Sequence, residues 1–466
     1  MVIMKNKFLK MRSLVVVLSL LLVSLSGCES DWIDNELNID PDAPGDVPMG
    51  LMLPAVQQAM GYNLLGNDNV RTTNIWTQHF DGVARQSFTE ARYQLTSADV
   101  NNVWGTTYTS ILMNLHTLVE KSKEEGRESP HFRGAAQVMQ ATTLGITTDL
   151  FGDIPFSNAL GGETGNLKPA YDTQEKIYDT IFSLLENAVV NLASTTNVLP
   201  LRGDVIYKND RTKWTKAAYS IMARHYLQQS NVLGNEAYTK ALAAAQNGFT
   251  SNADNYEVPF EDSNRNPIFQ FMEQRGDIRM ASTFVDLLKS NNDPRIEFYA
   301  AEDANGEFVG SEPGSENESA SRPGTYVASP TSSTVLMSYA ELKFIEAEAH
   351  FRLGNQADAQ EAYEEAVAAS VLRVTGAANT AWLDANINDV PVSLENIITQ
   401  KYINGFGTNQ PYADYRRTGF PNLELAQGAV LSVIPVRFPY PQSELDYNNA
   451  NVPSARQLTD KLWWDQ

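Results

Sequence analysis

The stretch "LMSYAELKFIEAEAHFRLGNQADAQEAYEEAVAAS" (residues 336–370) sets the architecture. Leu336, Ala340, Phe344, Ala347 and Phe351 recur at spacings of four and three, which puts them on one helical face. Gly354 stands where a left-handed residue would close that helix. A second helix follows, with Ala359, Ala362, Tyr363 and Ala366 at the same period. The small side chains at Ala347, Ala359 and Ala366 allow two antiparallel helices to approach closely.

Such a pair is similar to a tetratricopeptide unit, and a chain built from such units buries its core by stacking them. A second pair is expected in "WTKAAYSIMARHYLQQSNVLGNEAYTKALAAAQNGF" (214–249), broken at Gly234. A looser third is expected from Val103 to Leu118 and from Phe132 to Leu150. A long helix from Gln174 to Leu192 carries an apolar stripe of Ile177, Ile181, Leu184, Leu185 and Ala188. Residues 301–334 are rich in Gly, Ser, Glu and Pro and lack periodicity. From Pro411 onward, Pro421, Pro435, Pro439, Pro441 and Pro453 rule out continuous helix. Residues 430–436 offer the best strand. The expected fold is all-α dominated: tetratricopeptide-like helix pairs with long irregular loops and few short strands, in one domain over residues 51–466.

The N-terminus carries a different message. Lys5, Lys7, Lys10 and Arg12 precede an apolar run over residues 14–25, which is too short for a comfortable membrane span and ends in small residues. This pattern is an export signal, and "LSGC" at 25–28 resembles a bacterial lipobox. Cys28 is the only cysteine of the 466 residues, so its acylation would leave no thiol for a disulfide or a metal site. Residues 1–27 are then a lipoprotein signal peptide and 28–50 an acidic tether with Pro41, Pro44 and Pro48. The signal peptide holds four basic and no acidic side chains, so its loss takes the formal charge from −21 to −25. A chain this acidic has no electrostatic affinity for nucleic acid or an anionic bilayer, and it would reach a membrane only through its lipid anchor.

Four segments together resemble the SusD/RagB family of outer-membrane nutrient-binding lipoproteins. They are the lipobox with its acidic tail (Glu29, Asp31, Asp34), "TTDLFGDIPFSNAL" at 147–160, the helix pair at 335–370, and a C-terminal block. That block reads "IITQKYINGFGTNQPYADYRRTGFPNLEL" (397–425) and then "IPVRFPYPQSELDYNNANV" (434–452). Tyr412 stands where that family commonly has a tryptophan, and Val436 where a second arginine is usual. The resemblance implies a lipid-anchored protein on the exterior of the outer membrane that captures oligosaccharides, or in some members peptides. It would pass them to a SusC-like TonB-dependent transporter that it covers as a lid. The motif residues Asp149, Gly152, Asp153 and Pro155 suit a helix stop and turn. Asp414, Arg416 and Arg417 suit a paired charge cluster.

Catalytic parts are missing from the motif inventory. None of His79, His116, His131, His225 and His350 sits in a tight metal-binding spacing, and there is no nucleophile elbow, P-loop or dinucleotide fingerprint. Glu346, Glu348 and His350 alternate along a helix and so point to different sides. Asp303, Asn305 and Glu307 lack the twelve-residue calcium-loop pattern. Paired carboxylates need only proximity in space, so the sequence is silent on a surface glycoside hydrolase. No cofactor, no metal and no catalytic residue is assigned.

Sugar capture needs aromatic rings for the C–H faces of pyranoses and amide or charged groups for the hydroxyls. Two stretches supply them. "TNIWTQHFDGVARQSFTEARYQ" (73–94) offers Asn74, Trp76, His79, Phe80 and Tyr93; Trp76 and Phe80 could equally be core residues of one helix face. "NRNPIFQFMEQRGDIRM" (264–280) offers Asn266, Phe269, Phe271, Arg275, Asp277 and Arg279, without evident helical order.

Overall fold

The computed structural model describes residues 46–162, 165–388, 390–455 and 457–465. Cys28, the signal peptide and nearly all of the acidic tether lie outside the described residues. From Met49 onward the chain forms one compact unit. Its longer helices are α1 (Met49–Ala59), α2 (Asp68–Trp76), α3 (Arg85–Ala91), α4 (Met113–Lys121), α5 (Pro130–Phe151), α6 (Gln174–Ala193), α7 (Arg211–Gln228) and α8 (Asn235–Ala245). They continue with α9 (Pro267–Gln274), α10 (Ser282–Ser290), α11 (Tyr339–Arg352), α12 (Gln356–Thr375), α13 (Thr380–Asn386), α14 (Leu394–Asn404), α15 (Gln410–Thr418) and α16 (Gln442–Tyr447). Strands are short: β1 (Phe80–Gly82) pairs antiparallel with β3 (Ile278–Met280), and β2 (Tyr256–Val258) with β4 (Thr334–Met337).

Three helix pairs stack in sequence: α5 with α6, α7 with α8, and α11 with α12. The last forms as its spacing predicts. Ser338 caps α11 by accepting from the Glu341 N–H at 3.1 Å, Gly354 closes the helix at φ +82°, and Phe344, Ala347, Ala359, Ala362, Tyr363 and Ala366 are buried together. The loose pair is partnered differently from expectation. The stretch from Asn101 to Lys121 passes through a π-helical turn at Thr107–Leu112, and α5 packs chiefly on the long α6. Glycine explains the choice: a Cβ at Gly134 would sit 2.6 Å from Leu192 Cγ, so only a bare α-carbon lets α5 and α6 come this close. Gly248 serves the next junction, where a Cβ would meet Leu342 Cδ2 at 2.6 Å and Ser220 Oγ at 2.7 Å.

Helix α11 is also held by buried ion pairs. Glu341 and Glu348, two turns apart and both buried, each receive a bidentate arginine. Arg224 of α7 donates Nε and Nη2 to Glu341 at 2.6 and 2.7 Å, and Arg417 of α15 donates Nη1 and Nη2 to Glu348 at 2.5 and 2.6 Å. Asp414 accepts from Arg417 Nη2 at 3.0 Å and from Lys401 Nζ of α14 at 2.9 Å. Two cations and two anions thus close a neutral buried cluster across three helices. Asp414 and Arg417 form the paired cluster read from "DYRRTGFP", with Glu348 as the partner that the motif did not show; Arg416, expected in the same cluster, instead donates to backbone carbonyls.

The second signature is a junction with the C-terminal block. Helix α5 stops at Gly152 (φ +82°), and the Asp149 carboxylate accepts from the Tyr178 hydroxyl at 2.7 Å and Trp464 Nε1 at 3.1 Å. Burial pushes the Asp149 carboxyl up to about 6. Arg416 Nη1 donates to the Asp149 and Val436 carbonyls at 2.7 and 2.9 Å, and the Phe438 N–H to the Leu150 carbonyl at 2.7 Å.

One expectation here is corrected. Residues 430–436 form no strand: the Val430 and Val436 N–H groups bond to the carbonyls of Arg92 and Leu458 in separate loops, and Pro435 has no donor. The stretch from Pro411 onward is not continuous helix: Pro411 sits in the first turn of α15, where its missing N–H would have no intrahelical partner anyway, and the chain beyond Thr418 is mostly irregular.

Removing one side of a buried ion pair strands the other charge at a cost of about 3–5 kcal/mol. Glu348→Gln is therefore expected to lower the unfolding free energy by that order in chemical denaturation, with Glu348→Gln/Arg417→Met recovering part of the loss.

Candidate functional site

The two stretches chosen from sequence are brought together by the β1–β3 ladder, which sets Phe80 opposite Met280, Asp81 opposite Arg279 and Gly82 opposite Ile278. The ladder is continued by the Val83 N–H, which donates to the Asp277 carbonyl at 2.8 Å. Arg85, at φ +49°, turns back to pair with Asp277, with Nε 2.9 Å from Oδ2. A Cβ at Gly82 would overlap the Ser87 carbonyl, so the chain can leave β1 for α3 only through glycine.

Most of the ring and polar groups named in the first stretch face inward. Trp76 is fully buried between Tyr412 and Phe438, and its Nε1 donates to the Glu90 carbonyl at 3.1 Å. Phe80 is fully buried against Phe406. Asn74 is saturated by the loop after α14, donating to the Thr408 carbonyl at 2.8 Å and accepting from the Gly407 N–H at 3.0 Å. His79 stacks on Tyr402 at 3.9 Å between Thr77 Oγ1 and the Tyr402 carbonyl, and burial pulls its imidazole down to about 3, so it is held neutral. Tyr93 is buried, its hydroxyl accepting from the Ala426 N–H at 3.1 Å. These five do not present themselves to a ligand in this conformation. Asn74 and Trp76 belong to α2, which is enclosed on all sides: every residue of it from Asn69 on is buried.

The second stretch divides. Asn266 is the N-cap of α9, accepting from the Ile268 and Phe269 N–H groups at 2.8 and 3.1 Å, and Asp277 is taken by Arg85. Arg279 ties its own turn to the following loop through the Gly276, Ile278 and Glu318 carbonyls. Phe269 is half-buried and Arg275 exposed. Residues 267–274 are helical, where the sequence reading saw no helical order: Ile268 and Met272, four apart, share the buried face, and Asn266-Pro267 is a cap followed by a first-turn proline.

That helix forms one wall of an open cleft of about 260 Å³. Phe271 lies in it, half-buried, with the Arg71 guanidinium 4.0 Å above its ring centroid. Arg71 is itself fixed by Asn67 Oδ1 at 3.1 Å and by an ion pair with Asp68. Around this stack stand Tyr62, Gln86, Asn102, Gln274 and Arg275, whose side chains have no hydrogen-bond partner among the described residues. Tyr62 reaches the cleft from a π-helical turn, Met60–Leu64, that ends α1. Behind Arg71 the buried Glu90 carboxyl is pushed up to about 7 by desolvation, against the pull of the guanidinium. The cleft thus offers a fixed ring, the Arg275 cation and several amides with nothing else to bind among the described residues. Phe271 belongs to the second candidate stretch, but Arg71 lies far from it in sequence and carries no local signal of the pairing; the capping signal at Asn266 is the clue that puts Phe271 and Arg275 one helical turn apart.

Among the described residues no group of three or more His, Cys, Asp or Glu is placed to hold a metal. Glu348 pairs with Arg417 while Glu346 pairs with Lys343, so the alternating acids of α11 do diverge. Among the same residues no helix is long and apolar enough to cross a membrane.

Fold and cleft define a helix-pair scaffold that carries an aromatic and amide-lined surface on its connecting segments. The chain belongs to the SusD-like family described as starch-binding and associating with the outer membrane, whose profile matches residues 41–441. Among solved structures, a chitin-binding protein is similar at 26% identity and a TM-score of 0.78, over 90% of this chain and 100% of that one. A SusD/RagB family protein from Bacteroides thetaiotaomicron is similar at 25% identity and a TM-score of 0.77, over 90% and 99%. A chitin-binding SusD homolog from Flavobacterium johnsoniae shares the fold at 23% identity and a TM-score of 0.76, over 90% and 98%. A search of curated proteins gave no match.

Truncating a buried Trp costs about 3–5 kcal/mol through lost packing and the cavity left behind. Trp76→Ala is expected to lower the thermal midpoint markedly, whereas Gln274→Ala in the cleft leaves it unchanged; equal midpoints for the two would contradict this placement.

Proposed function

We propose that this chain is a lipid-anchored capture protein of the outer membrane, facing the cell exterior, that binds oligosaccharides in the cleft beside Arg71 and Phe271. It would deliver them to a SusC-like TonB-dependent transporter. The observation that carries the reading is the Phe271–Arg71 stack bordered by amides that have no partner among the described residues. A rigid ring can receive the C–H face of a pyranose, while Asn102, Gln274 and Arg275 can meet its hydroxyls. Membership of a family described as starch-binding, and likeness to a chitin-binding protein, support a glycan as the ligand. Both descriptions are of binding, which favours capture over catalysis.

Ring stacking on a sugar and one or two hydrogen bonds together are worth about 1–2 kcal/mol. Calorimetry of the soluble domain with chitopentaose and maltopentaose is expected to show binding of at least one, weakened about tenfold by Phe271→Ala. Unchanged affinity in that variant would remove the cleft from the account. Turnover of either sugar by the purified domain would overturn the capture reading.

Anchoring is tested separately. Cys28→Ala is expected to abolish incorporation of a labelled fatty acid and to release the protein from the membrane fraction; persistent labelling would refute the lipobox assignment.

A further inference from the structure

A second cleft, larger than the first at about 550 Å³, lies between α10, α13 and α14 and shares no lining residue with the cleft at Phe271. Its volume falls within the range of about 300–1,000 Å³ usual for small-molecule sites. We propose that it is an additional binding site for a neutral saccharide, independent of the cleft at Phe271. The proposal stands on the arrangement of this second cleft, not on the first.

Two helices present their groups to it at helical spacing. Trp382 and Asn386 are four apart on α13, and Asn396, Thr399 and Gln400 are three and four apart on α14, so each set shares a face. The indole of Trp382 is anchored at one edge, where Nε1 donates to the Asn291 carbonyl at 2.9 Å, and the ring remains partly exposed. An aromatic face held in one orientation loses little entropy when a pyranose settles on it.

Gln400 is oriented from beneath. Its Oε1 accepts from Arg295 Nη2 at 2.7 Å, and its Nε2 has no acceptor among the described residues, leaving an aimed donor. Arg295 is fully buried and neutralised by Asp293, which accepts from Nε at 2.9 Å and from Nη2 at 2.5 Å. A buried ion pair therefore fixes an amide without adding net charge to the cleft. The side chains of Asn396 and Thr399 likewise have no hydrogen-bond partner among the described residues. Among those residues Glu395 is the one charged group on the wall, and no cation lines it. This chemistry rejects anions and offers hydroxyl groups both donors and acceptors beside an apolar ring, which is the pattern a neutral sugar needs.

The test is fluorine NMR of the protein carrying 5-fluorotryptophan, titrated with chitopentaose and separately with maltopentaose. The resonance of Trp382, one of seven tryptophans, is assigned with Trp382→Phe. It is expected to move saturably with at least one of the two sugars, both in the native sequence and in Phe271→Ala/Arg275→Ala. Asn396→Ala/Thr399→Ala, which removes groups with no other partner among the described residues, is expected to weaken that response about tenfold and to leave the other resonances of the free protein in place. A Trp382 resonance unmoved by both sugars overturns the proposal, whatever happens at the first cleft. So does a movement that disappears in Phe271→Ala/Arg275→Ala, because it would be relayed from there. A response at Trp382 with Phe271→Ala leaving the overall affinity unchanged would uphold this site and refute the first.

Discussion

The frame hangs on two carboxylates of one helix. Glu341 and Glu348, seven residues apart on α11, are both buried, and each is met by a bidentate guanidinium from a different helix. Apolar packing gives α11 its partner α12, but apolar contact is non-directional and would tolerate sliding. Charged pairs out of water tolerate very little, because a displaced partner leaves an uncompensated buried charge. Arg224 therefore sets how the preceding pair meets α11, and Arg417 sets where α15 and the C-terminal block dock. Lys401 and Asp414 complete the charge balance and bring α14 into the same cluster.

The C-terminal block passes this order to the rest of the chain. Arg416 and Phe438 bind the carbonyls that end α5, and Trp464 reaches Asp149 from the last residues. Trp76 packs on Tyr412 and Phe438 of that block, which holds α2, and with it the start of the β1 strand and the cleft. Residues that read as a glycan-stacking pair in the sequence are thus structural links between the frame and the site. The same holds for His79, stacked on Tyr402 of α14 and kept neutral by burial.

What the sequence made legible follows from how local each signal is. The α11–α12 pair, its cap at Ser338 and its turn at Gly354 rest on neighbouring residues; the pair and the turn were read, and the cap lay beside them. The turn after α5 and the charges of "DYRRTGFP" were readable as architecture, but Glu348 as the partner of Arg417 was not, since nothing in a helical period marks which glutamate will meet an arginine 69 positions away. The site failed in the same way. Both stretches around it were found, yet an aromatic in a polar neighbourhood looks alike whether it faces a sugar or the core. Burial is decided by helix α2 packing against distant segments, and Arg71 meets Phe271 only after β1 and β3 pair.

The division of labour that emerges is a rigid, charge-pinned helical frame with ligand chemistry on the segments between its helices. The most direct check is a crystal structure of the soluble domain with the oligosaccharide that calorimetry selects. The account predicts a pyranose ring seated on Phe271, with hydroxyls within hydrogen-bond reach of Arg275 and of Asn102 or Gln274. A saccharide bound elsewhere with that cleft empty would contradict it.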